Sequence, residues 1–197
     1  MKSIFFEFNP NRCLGCRACQ IACTVNHDLH SGIYLRKVTQ VQYKSKDQIA
    51  NYYLSLSCNH CANPECFRLC PERAYRKRRD GIVIQDDKKC KGCGVCTRAC
   101  PFEAPVVNPK TGKTIKCDLC FDKLEEGDNP FCVASCPVEA LTVYKRTTYE
   151  ENPDLVKTLP GFPRIQITRP SIRYYPVKMG VQIGINLDYP KEVKEDE

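Results

Sequence analysis

No apolar run in this chain approaches the roughly 18 residues of a membrane-spanning helix. Nor does a basic n-region followed by an apolar h-region open it, so no secretory signal is visible. The first absence excludes a span of its own, and any membrane association is expected to run through a partner. The second argues against a disulfide-stapled secreted domain, although 16 of the 197 residues are cysteine. A phosphate-cradling glycine loop and a nucleophile paired with a base are also missing, so no substrate chemistry is expected in this chain. The formal charge of +7 invites a nucleic-acid reading, and the cysteines oppose it.

Those cysteines fall into four ordered groups with none left over. The clearest is Cys90-Lys91-Gly92-Cys93-Gly94-Val95-Cys96-Thr97-Arg98-Ala99-Cys100-Pro101. Three cysteines two residues apart, a fourth after three more, and then proline make the bacterial [4Fe–4S] run, whose fourth cysteine serves a neighbouring cluster. Gly92 and Gly94 let the backbone curl round the cluster. Pro101 suits a first helical turn, which predicts Cys100 at a helix N-terminus. The other groups are Cys13, Cys16, Cys19 and Cys23; Cys58, Cys61, Cys66 and Cys70; and Cys117, Cys120, Cys132 and Cys136. Thr24 is the single departure, standing where the other groups have proline. Disulfides do not need cysteines two apart in threes. Zinc would leave the third cysteine of each triplet without a use. Four clusters at about −2 each would bring the charge from +7 to near −1, so the surplus Lys and Arg offset cluster charge. Arg76-Lys77-Arg78-Arg79 reads as a solvated hairpin tip.

The spacing predicts a strand over 3–8, a polar connection over 24–50 and a strand over 52–57. Hairpins are predicted over 74–84 and 105–115, and a closing strand over 140–145. His27 and His30 read as solvated loop residues, and His60 as making a hydrogen bond beside a cluster rather than serving as a ligand. Four copies of one unit make an α+β chain of two bacterial-ferredoxin-like modules. The short hairpin between Cys70 and Cys90 favours a nested arrangement, with the second and third groups paired and the first and fourth closing round them. Pairing first with second and third with fourth is the alternative. Nesting makes residues 1–50 plus 101–146 the first module and 51–100 the second, their hairpins intermixed. Residues 147–197 carry no cysteine and are rich in proline, with apolar anchors at Ile165, Ile167, Ile172, Tyr174, Tyr175 and Val177. They are expected to form an extended tail without a core of its own, strapped to a partner subunit and dispensable for cluster content.

The run Tyr52-Tyr53-Leu54-Ser55-Leu56-Ser57-Cys58-Asn59-His60-Cys61, with Asp80-Gly81-Ile82-Val83-Ile84, Lys116-Cys117-Asp118, Cys120, and Cys136-Pro137 before Ala140-Leu141, carries a family resemblance. It resembles the four-cluster iron–sulfur subunits of molybdopterin and tungstopterin oxidoreductases, most of all the dimethyl sulfoxide reductase kind, over about residues 4 to 145. A weaker echo reaches Thr168-Arg169-Pro170-Ser171-Ile172. The resemblance implies four [4Fe–4S] clusters. Cys13, Cys16, Cys19 and Cys136 would hold the first; Cys117, Cys120, Cys132 and Cys23 the second; Cys58, Cys61, Cys66 and Cys100 the third; Cys90, Cys93, Cys96 and Cys70 the fourth. Some relatives lack one cysteine of the third group and carry a [3Fe–4S] centre there; Cys93 fills that position here.

The implied role is non-catalytic relay of single electrons. At one end stands a molybdopterin- or tungstopterin-containing catalytic subunit, at the other a quinone-reactive membrane anchor or a soluble carrier. The implied location is at a membrane through partners, on the exported side if the catalytic subunit carries a twin-arginine signal, and otherwise cytoplasmic. Similar subunits serve polysulfide, thiosulfate, tetrathionate, arsenate and formate enzymes, so the motifs leave the substrate open. A free-standing polyferredoxin, or the iron–sulfur subunit of a formate dehydrogenase or hydrogenase complex, is the alternative.

Overall fold

A computed structural model describes residues 3–30, 32–44, 49–146, 152–162, 165 and 167–178. Strand β1 (Ser3–Phe8) turns Phe6 and Phe8 into the core, at 2% and 1% exposure. Phe5, pointing to the opposite face, is also buried and lies against Tyr144, so both faces of β1 are covered in its middle. Helix α1 (Ala18–Asn26) follows the first cysteine loop, and strands β2 (Lys37–Lys44) and β3 (Ile49–Leu56) form an antiparallel pair with Lys37 opposite Leu56 and Lys44 opposite Ile49. Next come α2 (Glu65–Arg68), the hairpin β4 (Tyr75–Lys77) and β5 (Val83–Gln85), then α3 (Val95–Ala99) and the hairpin β6 (Val106–Val107) and β7 (Thr114–Ile115). The last elements are α4 (Phe121–Glu126), α5 (Phe131–Ala134), β8 (Leu141–Arg146) and β9 (Arg173–Tyr174).

Three features differ from the sequence reading. The 24–50 connection is not an irregular loop, because α1 reaches Asn26 and β2 occupies 37–44. Strand β2 carries Lys, Thr and Gln outward, and only Val38 of its side chains is fully buried, which makes its pattern look polar. Second, Cys100 is the residue that ends α3, with φ −83° and ψ 114°, not one that begins a helix. A residue before proline is pushed out of the α region by the ring's Cδ, so Pro101 stops α3. Thr24 explains α1 in the same terms: with no proline after Cys23 the helix runs on, and the Thr24 hydroxyl donates to the Gln20 carbonyl at 3.0 Å.

The third difference is the tail. Its residues 147–151, 163, 164, 166 and 179–197 lie outside the described ones, but Val156, Leu159, Phe162, Ile172, Tyr174 and Val177 pack on the chain's own core. Strand β9 lies parallel to β1, with Phe8 beside Tyr174, and β8 pairs antiparallel on β1's other edge, giving the order β8-β1-β9. Ile172 and Tyr174 are 2% and 1% exposed. Val156 exchanges backbone hydrogen bonds with Tyr174, and Phe162 stacks on Phe102 with ring centroids 6.0 Å apart. Burial of large side chains of this kind stabilises by about 1.5–3 kcal/mol each. The anchors therefore do have a core, because β1 offers a free edge that the sequence pattern does not reveal. Of the six, Ile167 alone is fully exposed.

Candidate metal centres

Each cysteine loop closes with a short helix, and the third cysteine of each group is its second residue: Cys19 in α1, Cys66 in α2, Cys96 in α3 and Cys132 in α5. The fourth cysteine leaves its own loop. Cys13, Cys16, Cys19 and Cys136 line one cavity; Cys58, Cys61, Cys66 and Cys100 line a second; Cys70, Cys90, Cys93 and Cys96 line a third. Cys23, Cys117, Cys120 and Cys132 remain: Cys23 lies electrostatically against Cys132 and Cys120, and Cys117 against Cys58 first, then Cys23 and Cys132. Set one thus draws on the first and fourth groups, as does the Cys23 set. The other two sets draw on the second and third groups.

The donor sets fit iron–sulfur clusters better than single zinc ions. Four sulfurs round one zinc at about 2.3 Å would lie roughly 3.8 Å apart. Among the described residues no three cysteine sulfurs lie within 4.8 Å of one another; the single trio that close is His27, Asp118 and Cys120. A cubane with thiolates at separate corners needs the wider spacing. Glycine makes the close approach possible at Gly92, where φ is +74° and a Cβ would strike the Gly112 carbonyl.

Buried sulfur is costly to ionise without a metal. Burial first, and neighbouring thiols with it, push Cys23 up to about 12, and Cys61 and Cys66 each to about 12. Hydroxyl groups from distant parts of the chain are placed to counter this. Ser55 Oγ lies 3.4 Å from Cys19 Sγ. Thr114 Oγ1 lies 3.4 Å from Cys90 Sγ and accepts from the Cys96 thiol at 3.4 Å. At Cys90 burial raises the thiol, yet the hydrogen bonds from Thr114 and Gly92 outweigh it and hold it below the ordinary value. Thr168, 1% exposed, lines the cavity of Cys58 and Cys61 from the tail. Around it the tail staples the Cys58 loop: Ala62 N–H donates to Arg169, Asn63 N–H to Thr168 and Ser171 N–H to Asn59, at 2.8, 2.9 and 3.0 Å.

The histidines divide. Fully buried His60 accepts the Val83 N–H on Nδ1 at 3.1 Å, leaving Nε2 to carry the proton, 3.9 Å from Cys117 Sγ. Burial first and Lys116 second hold it well below its ordinary pKa, so it is a neutral donor. His27 is not a solvated loop residue: as the residue capping α1 it brings Nε2 to 3.7 Å from Cys120 Sγ. His30 is exposed. The extended α1 sets His27 four residues beyond Cys23, a consequence of Thr24 that spacing alone does not show. Among the basic run, Arg78 is half-buried, pairing with Asp80 and Glu125 and lying 5.0 Å over the Phe121 ring, while Arg76 and Arg79 are exposed.

Residues 49–146 match the family model described as a 4Fe-4S dicluster domain. Over 201 residues the sequence is 37% identical to one of the chains of the anaerobic dimethyl sulfoxide reductase of Escherichia coli, covering 95% of this protein and 97% of that relative. The corresponding chain of the Haemophilus influenzae enzyme is 33% identical over 205 residues, covering 98% of this protein and 100% of that relative. The match to the thiosulfate reductase electron transfer subunit of Salmonella typhi is 40% over 139 residues, 68% of this protein and 71% of that relative. On these matches the protein belongs to the family of these dimethyl sulfoxide reductase chains and carries a 4Fe–4S dicluster domain.

Proposed function

We propose that this chain is the electron-transfer subunit of a molybdopterin- or tungstopterin-containing oxidoreductase of the dimethyl sulfoxide reductase type, relaying electrons through four [4Fe–4S] clusters. The ligand sets are Cys13, Cys16, Cys19 and Cys136; Cys117, Cys120, Cys132 and Cys23; Cys58, Cys61, Cys66 and Cys100; and Cys90, Cys93, Cys96 and Cys70. One observation carries the reading: three cavities are each lined by four thiols, and the other four thiols interact with thiols of two of those cavities. Cys19 of the first set interacts with Cys132 of the second, and Cys117 of the second with Cys58 of the third. Cys66 of the third and Cys96 of the fourth both pack on Tyr75. Cys16 and Cys93, in the two end sets, are the exposed cysteines. A series with open ends and buried middle members suits entry of electrons at one end and exit at the other.

When bound, such a cluster supplies reversible one-electron chemistry. The protein's part is to hold the thiolates, exclude water and set the potentials. Ser55 and Thr114 hydroxyls and the His60 N–H are placed to donate to sulfur, which favours the more negative, reduced form. Burial of Cys23, Cys117 and Cys132 keeps solvent from the middle of the series. No helix among the described residues is long and apolar enough to cross a membrane, so attachment to one would run through a quinone-reactive partner. A partner's grip on the tail is assigned to exposed Ile167 and to residues 179–197, which carry Val181, Ile183, Ile185 and Leu187. Anaerobic purification of the tagged chain from its native cells tests the proposal. A pterin-metal subunit in equal amount, reduced through this chain by a quinol, is the expected result. An isolated chain that supports no such transfer would overturn it.

A further inference from the structure

Arg36 is 1% exposed, the largest side chain so deeply buried among the described residues. Its Nη1 donates to the Ser55 carbonyl and hydroxyl at 3.3 and 3.1 Å, and its Nη2 to the Ser57 hydroxyl at 2.8 Å. Its guanidinium carbon lies 4.5 Å over the Phe6 ring. Every one of these partners is neutral. Among the described residues no carboxylate forms an ion pair with Arg36. A buried, unpaired cation is strongly unfavourable, and arginine does not escape by losing its proton. Its counter-charge has to come from elsewhere.

The sulfurs supply it. Ser55 Oγ, which accepts from Arg36, sits 3.4 Å from Cys19 Sγ, so its own hydroxyl hydrogen is free for that sulfur. Arg36 also interacts electrostatically with Cys132, Cys117, Cys19 and Cys23, which come from the first two ligand sets. Burial alone would weaken its hold on the proton, and these sulfurs more than reverse that.

Resting on the four-cluster reading above, we propose that Arg36 is a counter-ion shared by the clusters of the first two sets, raising the reduction potentials of both. A fixed positive charge in a poorly screened interior favours whichever state is more negative, here the reduced one. The same residue ties folding to cluster assembly, because the core closes over a cation that only the clusters neutralise. The role falls outside the cysteine loops, on a residue just before β2.

The test is an EPR-monitored redox titration of the holoprotein in its complex. Single Cys→Ser replacements, one per set, assign the signals. Arg36→Met, which keeps bulk and removes charge, is expected to shift reduction of the first two clusters at least tenfold toward the oxidised form. That is a lowering of about 59 mV or more for a one-electron couple. The other two clusters should move much less. Arg36→Lys, which keeps the charge, should stay nearer the parent. If Arg36→Met does not retain iron, Arg36→Gln, which keeps hydrogen-bond donors and removes the charge, decides: a lowering at both of the first two clusters supports the proposal, and no shift overturns it. With full iron, unmoved potentials in Arg36→Met, or an equal shift at all four, overturn it. A parent protein without four assignable clusters would instead mark failure of the underlying four-cluster reading.

Discussion

Gly92 and Gly81 both have positive φ, +74° and +89°, but only Gly92 has no room for a methyl group. Gly81→Ala meets nothing within 4 Å and should cost about 1 kcal/mol through its backbone alone. Gly92→Ala adds a clash with the Gly112 carbonyl, so its loss should be larger, and the loop holding Cys90 and Cys93 has to shift. Thermal unfolding of the two holoproteins, with iron analysis, checks this: Gly92→Ala should unfold several degrees below Gly81→Ala and hold less iron. Equal behaviour would refute the close approach. Cys93 is exposed, so Cys93→Ser should leave packing untouched and convert one cluster to a [3Fe–4S] form while three persist. EPR spectra matching the parent in both redox states would contradict that. The cysteines announce themselves by spacing. Ser55, Thr114, Arg36 and Thr168 do not, because their nearness to sulfur is made by strand pairing and tail docking across tens of residues.

Among the elements, β1, the two short hairpins and β8 were legible because each is a brief β-branched or aromatic run bounded by turn residues. Strand β2 is obscured by its solvent face, and the end of α1 by the polar stretch into which it runs when Thr24 replaces the proline. The tail illustrates a different limit: β9 is two residues long, and its stability comes from the edge of β1 and the burial of Tyr174, neither of which is local. Two truncations separate its parts. A chain ending at residue 178 should keep its iron and lose affinity for the catalytic partner. One ending at residue 146 also loses Thr168 and the backbone staples on the Cys58 loop. It should lose about 4 of about 16 iron atoms and unfold earlier. Tyr174→Ala in the intact chain should cost about 3–5 kcal/mol, read from denaturant unfolding of the holoprotein. A chain cut at residue 146 with full iron and unchanged stability would return the tail to the status of a strap.

For the whole molecule, the clusters act as structure as well as cargo. The main core joins Cys23, Cys58, Cys117 and Cys132 to Phe6, Phe8, Leu54 and Ile82, so cysteines of three of the four groups share one interior. Two cations, Arg36 and Lys116, are buried there, and Lys116 Nζ donates to the carbonyls of Val83 and Cys117 beside the third set. Negative clusters in that interior would neutralise both cations. The central claim is the number of clusters. Iron and acid-labile sulfide should be determined on anaerobically purified protein, together with zinc. The account predicts about 16 iron and about 16 sulfide per chain, with no stoichiometric zinc. About 12 of each, or zinc in place of iron, would contradict it.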